Sequence, residues 1–308
     1  MTKRTQASLA SPAAAANPLI PYVGAMLIFG TIGLFVKRID LPTVLIVLAR
    51  GGIGAFFLLI AAIFYGNGLN LTAIRANLGR LVVSGIFLGL NWVFLFEAYK
   101  HATIADATLL YYLAPILIMA ASTVFLKEKL TLRKCGCAAA ALLGMSFIAG
   151  IWSPTAAAGT SAVGVIAGIG AAFFYAGLVI NNKYIGRSTP IDAMNSAFVQ
   201  LFAAFAVLLP YALASLDFST LSFGMVQVFL LVIVGIVHTG VAYKLYFSAI
   251  PNLEPSRIAV FAYVDPLVAI LLSILLLGEP FSAHSMIGSV LILGASAALE
   301  FKRKPQSA

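Results

Sequence analysis

From Leu19 onward the chain is a series of long apolar runs separated by short polar breaks. The runs cover residues 19–36, 41–65, 81–99, 104–125, 135–152, 162–182, 192–214, 225–249, 256–277 and 284–301. A helix needs about 20 mostly apolar residues, at about 1.5 Å each, to cross a hydrocarbon core, so each run predicts a transmembrane helix. The runs do not alternate apolar with polar residues, which argues against a membrane barrel and leaves helices as the spanning structure. The predicted fold is all-α: a polytopic membrane protein of ten transmembrane helices. Composition agrees, with 62% hydrophobic and 9% charged residues, where a soluble domain carries about a quarter charged.

The charged residues set the orientation. With the N-terminus placed in the cytoplasm, the inside segments hold 14 of the 19 Lys and Arg, against three outside (Lys37, Arg38 and Lys100) and two within spans (Arg50 and Lys244). The positive-inside bias predicts both termini in the cytoplasm. The net charge of +9 is dispersed over short loops facing lipid, so nucleic acid is not expected as a partner. The opening stretch "MTKRTQASLASPAAAAN" has its alanine cluster before the apolar run, the reverse of a cleaved secretory signal, so the first helix is expected to be kept. Cys135 and Cys137 stand one residue apart, too close for an unstrained disulfide and too few for a metal site, and are read as reduced packing residues. No metal or cofactor is expected.

Sliding the chain on itself by 151 residues aligns Gly89–Glu128 with Gly240–Glu279 without a gap, with eight identities that include Tyr112/Tyr263, Pro115/Pro266 and Glu128/Glu279. A shared Tyr-x-x-Pro and a shared terminal Glu at fixed spacing predict two five-helix repeats, 19–152 and 161–302, joined by a linker at 153–160 and flanked by tails at 1–18 and 303–308. Because five is odd, the second copy enters the membrane upside down. Inverted repeats recur in secondary transporters, where one fold inserted both ways gives two equivalent conformations around a midplane site. A bundle enlarged by duplication and an intramembrane enzyme are the alternatives.

The segments "VAYKLYFSAIPNLEPSRIAVFAYVDPLVAILLSILLLGEPFS" and "NWVFLFEAYKHATIADATLLYYLAPILIMAASTVFLKEKLT", with "VLARGGIGAFFLL" in the second run, resemble the drug/metabolite transporter superfamily, EamA type. The resemblance covers nearly the whole chain. It implies a ten-helix exporter of small metabolites in a bacterial inner membrane, as monomer or homodimer, and within the superfamily is greatest to bacterial amino-acid exporters, including the aromatic branch. One position departs from internal symmetry: Ala114 stands where the second repeat has Asp265.

Candidate chemistry gathers on runs three, four, eight and nine. Pro115 and Pro266 each remove a backbone hydrogen bond, freeing the carbonyls of Tyr111 and Ala262 and marking hinges or fixed kinks. Trp92, Tyr112, Tyr243 and Tyr263 are expected to line a cavity, with Tyr99 as lining or interfacial anchor, offering π faces and hydroxyls to an amphiphilic substrate. Asn91 suits a zwitterion or a helix cross-link, and His238 a proton, a hydrogen bond or packing. Asp265 lies about nine residues, roughly 14 Å, into its run, where a charge costs about 2.5 to 3.5 kcal/mol. It is open to three readings: an ion pair with Arg50 or Lys244, a proton or substrate-amine site, or a helix cap at the kink. The expected function is export of neutral or aromatic amino acids and related compounds by alternating access. A sugar-phosphate or nucleotide-sugar antiporter using Arg50 and Lys244 is the alternative, and a lipid-acting enzyme a further one, for which the spacing assembles no catalytic set. The expected partners are a small-molecule substrate and the lipid bilayer.

Overall fold

A computed structural model describes residues 17–36, 38–65, 68–102, 107, 110–148, 161–217, 219, 221–277 and 283–300. Its helices are α1 (Leu19–Val36), α2 (Thr43–Tyr65), α3 (Leu71–His101), α4 (Ala114–Phe125), α5 (Leu132–Ile148), α6 (Ala162–Asn182), α7 (Ala193–Ser215), α8 (Met225–Asn252), α9a (Pro255–Phe261), α9b (Val264–Leu277) and α10 (Ala283–Glu300). No strand occurs among the described residues. Six of these helices, α1, α2, α3, α6, α7 and α8, are long and apolar enough to cross a membrane unaided. Large apolar side chains such as Phe56, Phe64, Val124, Phe173 and Leu275 lie exposed on the bundle's flanks, as required of a surface solvated by acyl chains.

Local chemistry explains where helices start. Asn70, Ser161 and Asp192 each accept a hydrogen bond from the first turn they precede, a cap worth about 1 kcal/mol. The Asn70 cap also explains a departure from the hydropathy pattern. Helix α3 begins at Leu71 rather than 81 because "LTAIRANLGR" carries two arginines, too polar for an apolar run, yet is built of good helix formers.

Two helices are irregular at membrane depth. In α8, Ile236–Val241 forms a π turn, and the Thr239 hydroxyl donates to the Val234 carbonyl five residues back at 3.1 Å. Glycines let α2 press against this turn: a Cβ on Gly54 would sit 2.8 Å from Thr239, and one on Gly235 2.5 Å from Ile53. The ninth run, expected as one helix over 256–277, is broken into α9a and α9b at Ala262–Tyr263. Pro266 has no N–H for the Ala262 carbonyl, so the ladder loosens there into a turn. Tyr112–Leu113, before Pro115, makes the same interruption ahead of α4.

Packing follows a regular scheme. Helix α3 packs on α6 and α7, α8 on α1 and α2, α1 on α9b, α4 on α6 and α9a, α2 on α7, and α5 on α10. Exchanging α1–α5 for α6–α10 turns this scheme into itself: α3–α6 becomes α8–α1, α3–α7 becomes α8–α2, α1–α9 becomes α6–α4, and the last pairs map onto themselves. One end of the bundle collects basic groups, with Arg80 donating to the Tyr184 carbonyl at 2.5 Å and Lys183 to the carbonyls of Leu253 and Pro251. There Glu128 receives Lys134 at 2.7 Å and Ser256 at 2.9 Å, tying α4, α5 and α9a together.

Candidate substrate site

The π turn of α8 faces Arg50 of α2. Arg50 Nε donates to Thr239 Oγ1 at 3.0 Å, and its Cζ lies 5.0 Å from the Trp92 ring centroid. Because the Thr239 hydroxyl spends its own proton on the Val234 carbonyl, it meets Arg50 as an acceptor. The π turn thus aims the arginine, and the Trp92 face supports the cation. Tyr243 in turn meets Trp92 edge-on at 5.9 Å. Among the described residues, Arg50 Nη1 and Nη2 have no protein partner.

Asp265 opens α9b directly after the break in that helix. It lies within the electrostatic reach of Arg50, Tyr22 and Tyr243, and α1 lets it approach: a Cβ on Gly30 would stand 2.7 Å from the Asp265 carbonyl oxygen and 2.6 Å from Val268. No carboxylate among the described residues comes within 4.0 Å of Arg50. The direct Arg50–Asp265 ion pair that the sequence left open is not formed in this conformation. Both side chains keep part of their surface exposed.

A cluster of hydroxyl-bearing rings packs beside Trp92 and Tyr243 in the same buried core. Tyr246 donates to the Tyr175 hydroxyl at 2.7 Å, the Tyr22 ring lies tilted 5.7 Å from that of Tyr246, and Tyr111 lies 5.8 Å from Tyr175. The Tyr22 hydroxyl donates to the Ile258 carbonyl at 2.9 Å, joining α1 to α9a. Sequence reasoning missed Tyr22, Tyr175, Tyr246 and Thr239. The repeat shift sets Tyr175 against Gly24 and Tyr246 against Leu95, so the pairing that singled out Tyr112 and Tyr263 was blind to them. Tyrosines in the middle of apolar runs were the available signal.

Of the expected lining residues, Trp92 and Tyr243 gather beside Arg50. Tyr112 and Tyr263 are instead stacked on each other, 5.5 Å apart, in a core with Cys137, Met145 and Ile292 of α5 and α10. Asn91 donates to the Ala171 carbonyl at 2.8 Å and cross-links α3 to α6. His238, buried, shares a hydrogen bond with Thr31 at 2.8 Å and packs on Phe35 at 4.8 Å, fastening α8 to α1. Lys244 is exposed and lines a separate cleft of about 630 Å³ with Asn70, Asp192 and Asn195. Pro115 and Pro266 are buried at the starts of α4 and α9b. The Tyr99 side chain lies outside those described. Among the described residues no group of His, Cys, Asp and Glu is arranged to hold a metal.

A lipid-facing helical bundle that keeps an arginine, an aspartate and a tyrosine cluster in its interior has the make-up of a polytopic membrane transporter. The chain is a member of the EamA-like transporter family, whose model matches residues 18–150 and again residues 162–300. It is similar to an uncharacterized transporter, YxxF, of Bacillus subtilis (strain 168), with 29% identity over 286 residues, 93% of this chain and 90% of the relative. An uncharacterized transporter of Vibrio cholerae is 24% identical over 280 residues, 89% of this chain and 88% of that one. A solved structure described as the crystal structure of a protein superposes with a TM-score of 0.80 at 21% identity, covering 92% of this chain and 96% of the other, which shows the shared fold.

Proposed function

We propose that this EamA-family transporter exports small amphiphilic metabolites, neutral and aromatic amino acids foremost, by alternating access across a bacterial inner membrane, with both termini in the cytoplasm. Two five-helix halves, 19–152 and 161–302, move about a central site. The observation that carries the reading is one cluster of side chains, Arg50 on the Trp92 face with Tyr243 beside it, brought together from helices of both halves, with Asp265 within electrostatic reach. Such a cluster suits a ligand that is charged at one end and apolar at the other. The packing scheme, unchanged by exchange of the halves, supports two equivalent conformations. A sugar-phosphate antiporter is disfavoured, because Lys244 lines another cleft and leaves Arg50 as the cation by which a phosphate would be held.

Purified protein in liposomes, offered labelled amino acids and organophosphates, tests the reading. Flux of amino acids is expected. Flux of phosphates alone would install the antiporter reading, and chemical conversion of a lipid without flux would install an enzyme.

A further inference from the structure

Arg50 and Asp265 lie within electrostatic reach of one another and each keeps part of its surface exposed, yet neither is neutralised by an oppositely charged protein group within 4.0 Å among the described residues. Opposite charges buried and held apart are a costly arrangement that direct pairing would relieve. Here pairing is prevented by construction. Thr239 and the Trp92 face hold the guanidinium on the α2–α8 side, while the α9 break and the tight Gly30 contact fix Asp265 on the α1–α9b side. A ligand carrying both charges satisfies the two residues at once, whereas an anion or a cation alone strands one of them.

We propose that Arg50 and Asp265 are the paired charge readers of a zwitterion site, with the Arg50 terminal nitrogens taking a carboxylate, Asp265 taking an ammonium, and Trp92 and Tyr243 taking the apolar remainder. The assignment rests on the transport reading above and is tested separately from it. The probes are phenylalanine, phenethylamine and 3-phenylpropionate, which share a ring and differ in charge, and a matching set built on leucine. In detergent, the wild-type protein is thermally protected by the zwitterions, at concentrations at least about tenfold below those required of the amine or the acid. In liposomes, Asp265→Asn moves the preference toward the acid and Arg50→Gln toward the amine, while Asp265→Glu and Arg50→Lys retain the zwitterion preference in part. Equal protection by all three charge types, or an unchanged ranking in both neutral variants, would overturn the assignment. Protection by zwitterions without flux of any compound would keep the site and remove the transport reading.

A second observation is independent of that site. The Tyr263 hydroxyl donates to the Tyr112 carbonyl at 2.9 Å, and the rings stack 5.5 Å apart. The two residues are separated by 151 positions, the same offset that aligns the repeats. A residue in contact with its own counterpart lies at the pseudo-twofold axis between the halves. In an inverted-repeat bundle, exchanging the halves converts one conformation into the other. That exchange maps the stack onto itself and swaps its donor and acceptor. The carbonyls already differ: that of Tyr263 accepts the Leu267 amide at 3.4 Å, while that of Tyr112 accepts the Tyr263 hydroxyl.

We infer that Tyr112 and Tyr263 form a two-position switch, stacked in both conformations, with the bond Tyr263 hydroxyl to Tyr112 carbonyl in this one and Tyr112 hydroxyl to Tyr263 carbonyl in the other. Tyr263→Phe then disfavours the present conformation. With Cys135 and Cys137 replaced by alanine, thiol labelling at Ala193→Cys and Ser215→Cys, at the two ends of α7, reports the balance. Tyr263→Phe is expected to shift it away from the present conformation by about two- to tenfold, as loss of one hydrogen bond allows. An unchanged balance, or a shift toward the present conformation, would overturn the switch.

Discussion

At the residue scale, Thr239 has the most specific task. Its hydroxyl is both donor to the π turn and acceptor for Arg50, so valine keeps the shape and removes both bonds. Leaving the Arg50 Nε and the Val234 carbonyl unmatched costs about 1–3 kcal/mol each when no water replaces the hydroxyl. Thr239→Val is expected to lower thermal stability by a few degrees and to weaken amino-acid flux more than Thr239→Ser does, because serine retains the hydroxyl. Equal flux through the valine and serine variants would show that Arg50 is aimed by Trp92 alone. Nothing in the sequence marks Thr239 among the other polar residues of apolar runs. Its importance comes from the partner that the fold brings to it, 189 positions away.

At the element scale, the π turn and the α9 break do similar work, each turning a membrane helix so that a polar group faces inward. A π turn holds one residue more than an α-helical turn in the same length. Removing Val237 is expected to convert Ile236–Val241 to regular helix with the flanks kept in register, so the change is confined to the turn itself. Since Gly235, Gly240 and Thr239 all meet α2 closely, re-forming that turn as α-helix re-aims Thr239 and removes the Arg50 bond. The shortened protein is expected to insert into the membrane and lose substrate protection in a thermal-shift measurement. Retained protection would mean that the turn is incidental. The break in α9 was half legible: Pro266 signalled a kink, but an interruption long enough to split the helix depends on what accepts the loosened backbone.

At the scale of the whole molecule, the basic end is closed by a network around Glu128. Burial works against charge on this carboxyl, but Lys134 and the hydroxyls of Ser122 and Ser256 outweigh it and hold it below its ordinary 4.5. A depressed carboxyl contributes stability that is fully present above its unfolded value and is lost as pH falls through the folded one. Wild-type protein is therefore expected to lose stability as pH drops below about 4.5, with Glu128→Gln flattening that part of the curve and lowering stability at neutral pH by about 1–3 kcal/mol. Thermal melts across pH in detergent check both. Parallel curves for the two proteins would show that the Glu128 network does not contribute to the pH dependence.

The apolar runs by themselves determined the class, all-helical and membrane-embedded, because a bilayer admits little else at twenty apolar residues per segment. They also placed α1 and α6 at their observed bounds, since local hydropathy changes sharply there. The repeat offset pointed to Tyr112 and Tyr263, but not to their role. Residues that match across a repeat touch each other only if they lie on the symmetry axis, and no spacing along the chain reports where that axis runs. Only the tertiary structure decided that these tyrosines stack in one core cluster while Tyr22, Tyr175 and Tyr246 join another with Trp92 and Tyr243. It alone decided that Arg50 and Asp265 come within electrostatic reach without pairing, because which groups meet is set by helix rotation and crossing, and those depend on glycine contacts, a π turn and a broken helix formed between distant parts of the chain.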